Sequence, residues 1–301
     1  MSEGRRKLLS VANSKTNAAG SVVLPLFAYA VRQLGPPAER QRGAAPERRI
    51  ATGMAALDVA LSGGLPQGGA TLVAARPNAT SNAWCMSTAL AILERGARVA
   101  LFSERFAEAQ LRGHLAVIRA GVNRYRFRAG LVTADDRVAL AAARARIPWS
   151  QLSIRAGEWL DLDDVESSIA TYRPDVAFVD LRLRAHAAKQ RRRFDAMTRI
   201  VDRLTRLARR RRTALVVRML LPELGDIPRV SEVAGGARLA GLFDTLLVLH
   251  RPTPGEPHTP DASVTHAYLP AASEYARARA AVPLHFDGRT ESVTDAATPR
   301  A

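Results

Sequence analysis

From Ile50 onward, short apolar runs alternate regularly with stretches of helical period, and no other feature constrains the fold of this chain as strongly. Runs at 71–75, 99–103, 152–154, 176–180, 215–219 and 245–250 have the length and continuous apolarity of strands buried on both faces. Between them, helical spacing covers 82–95, 107–120, 135–145, 162–172 and 194–210. In the last stretch, Phe194, Met197, Ile200, Val201, Leu204 and Leu207 recur at intervals that place them on one helical face. Strands apolar on both sides need cover on both sides, and helical crossovers between parallel strands provide it. The alternation therefore predicts an α/β domain with a mostly parallel sheet flanked by helices.

Charge divides the chain differently. The 301 residues carry 44 Lys+Arg against 28 Asp+Glu, a formal net charge of +16. Residues 1–50 hold nine basic and three acidic side chains, and residues 181–212 hold thirteen and two, so the remainder is close to neutral. An ordinary globular body thus bears two basic attachments, which favours a polyanionic partner, nucleic acid before membrane. The single cysteine, Cys85, excludes a disulfide framework and a multi-cysteine zinc site, and fits a reducing cytoplasm. Residues 22–31 (VVLPLFAYAV) are too few to span a bilayer and follow a long polar start, so they read as a docking helix, not a signal or anchor. The expected organisation is a basic tail, short helix and linker over 1–49, one domain over 50–292, and a frayed tail over 293–301.

Four local frames carry the functional reading. Residues 52–69 (TGMAALDVALSGGLPQGG) place glycine turns just before the first core strand, with Leu57 and Leu61 four apart on a short helix. After that strand come Ala75, Arg76, Pro77, Asn78, Ala79, Thr80, Ser81 and Asn82, and then a helix. Residues 102–111 read FSERFAEAQL, and 175–180 (DVAFVD) put Asp180 at a strand end. Together these frames resemble the RecA-like motor domain of DnaB-type replicative helicases, over roughly residues 50–290. The Ala-Arg-Pro start of the loop looks like that family's own phosphate-binding loop. The resemblance implies a P-loop NTPase fold with an altered P-loop, ATP and Mg²⁺ as the family's cofactors, a role in DNA replication, and a hexamer.

The loop has lost its chemistry. The glycine that normally precedes the lysine permits φ > 0 and lets N–H groups converge on phosphates, and Thr80 replaces it. Ser81 stands in place of the lysine, and Asn82 in place of the hydroxyl that ligates Mg²⁺. Residues 76–82 are the expected nucleotide-contacting loop, and its turn over 78–82 into a helix N-terminus would hold a stray anion better than Mg·ATP. Restoring Thr80→Gly, Ser81→Lys and Asn82→Thr together is the expected route back to binding. By resemblance, Asp180 is the Mg²⁺-organising acid and Glu104 the water-activating one. Without gaps that second position falls on Arg105, so Glu104 needs a small shift of the strand end.

Later frames keep their spacing and lose residues. The run 216–221 (VVRMLL) occupies the strand where the family carries a sensor glutamine. Of the polar members expected in 230–251, Ser231, Glu232 and Asp244 remain, and 282–290 (VPLHFDGRT) resembles the closing hairpin. The basic pair that would reach a neighbouring subunit is represented by Ser273, Glu274 and Tyr275, with Arg277 and Arg279 close by.

Residues 181–212 follow the Asp180 strand, where hexameric helicases carry a loop facing single-stranded DNA. Arg182, Arg184, Lys189, Arg191, Arg192 and Arg193 are the expected DNA contacts, through phosphates. The alternative is a solvated arginine-rich face. Three functions follow: a DnaB-like protein with lost or weak ATPase that still binds single-stranded DNA, an active helicase with an atypical nucleotide site, or a RecA/RadA-like recombination or repair accessory protein. The glycine turn fits the last slightly better, and the 102–111 frame and Arg-Pro loop favour the first two. Expected partners are single-stranded DNA and further copies of the chain or a replication protein.

Overall fold

The computed structural model describes residues 48–77, 80–158, 160–180, 190–221, 239, 241–251, 263–269 and 281–296, with 190–196 described by backbone alone. All lie in the larger of two units, Ala44–Ala301. The basic tail and the apolar segment 22–31 lie outside the described residues.

The chain enters through strand β1 (Arg49–Ile50), helix α1 (Ala55–Ala60) and strand β2 (Leu65–Pro66), with β1 and β2 paired antiparallel. Gly64 makes this entry possible. Its φ is +117°, and a Cβ there would lie 2.2 Å from the Ile50 carbonyl oxygen. Leu57 and Leu61 are buried beneath the turn, as their spacing predicts.

The main body alternates β3 (Ala70–Ala75), α2 (Thr80–Glu94), β4 (Val99–Ser103), α3 (Glu108–Ala120), α4 (Arg124–Arg128), α5 (Ala134–Arg146), β5 (Leu152–Ala156), α6 (Leu162–Tyr172), β6 (Val176–Asp180), α7 (Gln190–Arg211) and β7 (Ala214–Leu220). It closes with β8 (Thr245–His250), β9 (Val264–Tyr268), β10 (Val282–Asp287) and β11 (Ser292–Asp295). The sheet has 9 strands in the order β11-β10-β9-β8-β3-β7-β6-β4-β5. Strands β8, β3, β7, β6, β4 and β5 are parallel, and β9, β10 and β11 extend the β8 edge antiparallel.

The two faces of the sheet explain the unbroken apolar runs. On one, Val73, Leu101, Phe178, Val216 and Leu247 pack with Leu90 and Leu93 of α2 and Leu115 of α3. On the other, Ala100, Phe102, Val179, Leu215 and Val217 pack with Val165 and Ile169 of α6 and with Leu204 and Leu207 of α7. Alternate residues of one strand serve opposite cores. Helix α2 is apolar almost all round because the β10–β11 hairpin covers its outer side, where Ser87 Oγ accepts a 2.9 Å hydrogen bond from the Val293 N–H.

The strands and long helices follow the alternation seen in the sequence, and the fold is the expected RecA-like α/β architecture. Three features differ. The short helix α4 and strand β9 were not anticipated. The tail expected to fray from residue 293 instead opens within β11, where Val293 is buried and Asp295 accepts hydrogen bonds from the N–H groups of Ala55 (2.7 Å) and Ala56 (3.1 Å). A carboxylate at those N–H groups satisfies donors that α1 itself leaves open and meets the positive end of the helix. Asp295→Ala is therefore expected to lower the unfolding free energy by about 1 kcal/mol, measured by urea denaturation. An unchanged midpoint would mean that this bond contributes nothing.

Candidate nucleotide site

The site lies at the carboxyl ends of β3, β4, β6 and β7, where open α/β sheets hold their ligands. Strands β4 and β6 are neighbours, Ser103 pairs with Asp180, and the Glu104 N–H donates to the Asp180 carbonyl at 3.1 Å. Both expected acids thus sit at the same end of the sheet.

Arg76 and Pro77 leave β3, and α2 begins at Thr80; Asn78 and Ala79 lie outside the described residues. Thr80 and Ser81 are fully buried. The Ser81 hydroxyl accepts a 3.1 Å hydrogen bond from Arg218 Nη1, and Arg218 Nη2 donates to Asp180 Oδ2 at 2.6 Å. Arg218 reaches both because β7 lies between β3 and β6, opposite Val73 on one side and Asp180 on the other. Period-2 alternation puts it on the same face as Val216, beneath α2. Its side chain is 5% exposed and that of Asp180 15%, so solvent screens the pair only slightly. Arg105 adds a longer ion pair, Nε to Asp180 Oδ2 at 3.8 Å. Cys85, one turn after Ser81, has its thiol pushed up to about 12 by burial, against the opposing pull of Arg218, so it stays protonated and is not a nucleophile.

The neighbouring loop residue faces elsewhere. Asn82 Nδ2 lies 3.4 Å from His114 Nδ1 on α3, and His114 Nε2 lies 2.9 Å from the Glu291 carbonyl oxygen. A carbonyl can only accept, so Nε2 carries the hydrogen and Nδ1 accepts from the Asn82 amide. Burial, and then the Arg124 guanidinium, hold the His114 pKa down at about 3. Arg124 is itself buried and paired with Glu291 at 2.6 Å. Glu104 is also occupied: its Oε1 accepts from the Leu160 N–H at 3.1 Å, in the loop between β5 and α6.

A family model of the DnaB-like helicase C-terminal domain matches residues 49–223, more than half of the chain. The chain belongs to this family. No curated protein sequence matches it. Similar solved structures include an isolated ATPase domain, with 17% identity, a TM-score of 0.72, and coverage of 93% of this chain and all of that one. A DnaB-like replicative helicase, studied with its interactions with primase, aligns at 17% identity and TM-score 0.71, over 98% of this chain and 72% of its own. The RadB recombinase aligns at 15% identity and TM-score 0.51, over 82% of this chain and all of its own. At these identities the structural likeness concerns the fold.

DnaB-like ATPase domains use a nucleotide and Mg²⁺, and the residues here do not fit that pair. Where the family's lysine would meet the phosphates, the chain has a buried hydroxyl bonded to Arg218. The acid that would organise Mg²⁺ already holds a guanidinium on Oδ2, and a divalent cation there would be repelled by it. The Asn82 amide nitrogen is turned to His114. The Glu104 carboxylate accepts from the β5–α6 loop, and Arg105 is the residue of this strand end whose side chain pairs with Asp180.

Other expected positions divide as follows. Residues 181–189, with Arg182, Arg184 and Lys189, lie outside the described residues, as do Ser231, Glu232 and 273–279. Arg191, Arg192 and Arg193, expected in a loop, belong to the first turns of α7, which begins at Gln190. Arginine and glutamine are good helix formers, so the helix extends beyond its apolar stripe. Asp244 is a structural residue: its Oδ2 accepts from the Ala70 N–H at 2.9 Å and so ties β8 to the start of β3. Sequence reasoning missed Arg218 and His114. The signal for Arg218 was present, as a lone charge inside the otherwise apolar run 214–220.

The His114 network makes stability depend on pH. Its folded pKa of about 3 lies below the ordinary 6.5, so the unfolded chain takes up the proton first as pH falls. The contribution is whole above about pH 6.5 and is lost progressively down towards pH 3, by about 2 kcal/mol between pH 7 and pH 5. His114→Gln, which keeps a donor and an acceptor, should flatten urea midpoints plotted over that range. An equally steep profile in the variant would place the acid sensitivity elsewhere.

Proposed function

We propose that this DnaB-like helicase-family protein acts in DNA replication as a single-stranded DNA-binding domain whose ATP turnover is lost or weak. The observation that carries the reading is the Arg218 guanidinium, bonded to Ser81 and Asp180 at the positions from which the family binds phosphate and Mg²⁺. It adds to the loss of the glycine, lysine and hydroxyl from the loop, and the three replacements each have a place in the core or a partner within it.

DNA binding rests on the basic stretch. Arg191, Arg192 and Arg193 stand at the start of α7, whose first turn holds no acidic residue, with Asp195 following in the next turn. Cations at the positive end of a helix cost about 0.3–1 kcal/mol each, so this is an unfavourable place for them unless a polyanion is the partner. Further along the helix, Arg203 is engaged with Glu166 and Asp163 on α6, and Arg206 with Asp202. Those two arginines already have carboxylates, and the 182–193 segment is the proposed source of phosphate contacts.

Purified protein should show no ATPase activity above background with or without single-stranded DNA, and no micromolar Mg·ATP binding by calorimetry. Either signal would favour the reading of an active helicase with an atypical site. Binding to single-stranded DNA should be sequence-independent and fall about tenfold or more between 50 and 200 mM salt. Arg191→Ala/Arg192→Ala/Arg193→Ala should reduce both the affinity and the salt slope, whereas Arg203→Ala should change them little. A triple variant that binds like wild type would make the basic run a solvated surface.

A further inference from the structure

We propose that Arg218 is a resident cation that replaces both the loop lysine and Mg²⁺, so that the site is closed to Mg·nucleotide by a charge from β7 as well as by the altered loop. The inference rests on the reading of lost turnover and goes past it, by naming what fills the site and what must change to reopen it.

The argument is one of charge and place. In the phosphate-loop arrangement, a lysine and a divalent cation face the acidic strand end and the phosphates together. Here one guanidinium does so alone, with Nη2 on Asp180 Oδ2 at 2.6 Å and Nη1 on Ser81 Oγ at 3.1 Å. Ser81 is the residue that stands in the lysine position. A small neutral acceptor is what Arg218 requires there: a lysine would bring a second positive charge against a guanidinium that is 5% exposed. A buried pair of this kind does not open readily, since parting it leaves an uncompensated charge out of water. Mg²⁺ would have to displace the guanidinium from Oδ2, and phosphates would have to draw it away from Asp180. Ser81 and Arg218 therefore form one unit, and restoring the loop sequence alone leaves the site with one cation too many.

Two measurements test this. The first is a thermal-unfolding cycle without nucleotide on Ser81→Lys, Arg218→Gln and the double variant. Each single change should lower Tm by about 5 °C or more. The double should recover at least half of the larger loss, because the new lysine takes over as the partner of Asp180. A double variant as unstable as the sum of the singles overturns the proposal. The second adds Arg218→Gln to the background Thr80→Gly/Ser81→Lys/Asn82→Thr, with Mg·ATP binding followed by calorimetry. The addition should tighten binding at least tenfold. Equal affinity with and without Arg218, including none in either, overturns the proposal and leaves the reading of lost turnover standing. Micromolar binding by the unaltered chain would overturn both.

Discussion

A guanidinium buried inside a parallel sheet must meet a carboxylate, and much of this domain's functional end is arranged around that requirement. Arg218 lies in β7, covered by α2 on its own face and flanked by β3 and β6. Asp180, at the end of β6, carries an acid on the same face, and Ser81 supplies a second acceptor. Such a pair adds little net stability over an apolar replacement, but it is costly to break. It thereby specifies how β6, β7 and the start of α2 are placed against one another.

The same logic extends outward through a chain of polar groups. Asn82 is held by His114, His114 by the Glu291 carbonyl, and the Glu291 side chain by buried Arg124. This chain joins the first turn of α2 to α3, α4 and the turn of the β10–β11 hairpin. Glu104 is taken by the backbone of the β5–α6 loop. The Ser81 hydroxyl, the Asp180 carboxylate and the Glu104 carboxylate each have partners within the protein, which lowers the cost of burying them without a ligand.

Basic charge shows a comparable division. In the body of α7, Arg203 is paired with carboxylates on α6 and Arg206 with Asp202 of the same helix, and the first turn of the helix holds no acidic residue. Part of the helix's charge is thus absorbed into packing, while residues 181–193 carry six basic side chains and no acidic one.

The sequence by itself determined the architecture. Strands buried on both faces must be apolar at every position, and helices covering them must be apolar at intervals of three and four, so β3 to β8 and α2, α3, α5, α6 and α7 were legible. The family frames at 52–69 and 175–180 were legible for a related reason: turns and strand ends depend on neighbouring residues. What the sequence left open depends on contacts between distant residues. Strand β9 buries only the small side chains of Thr265 and Ala267, which leave no apolar alternation to read. The end of the chain passes as a polar tail until β11 lies against α2 and Asp295 meets α1. Arg218 was visible as an anomaly in an apolar run, but its partners stand 38 and 137 residues away. Only the order of the parallel strands decided that its charge falls between the lost lysine and the retained acid.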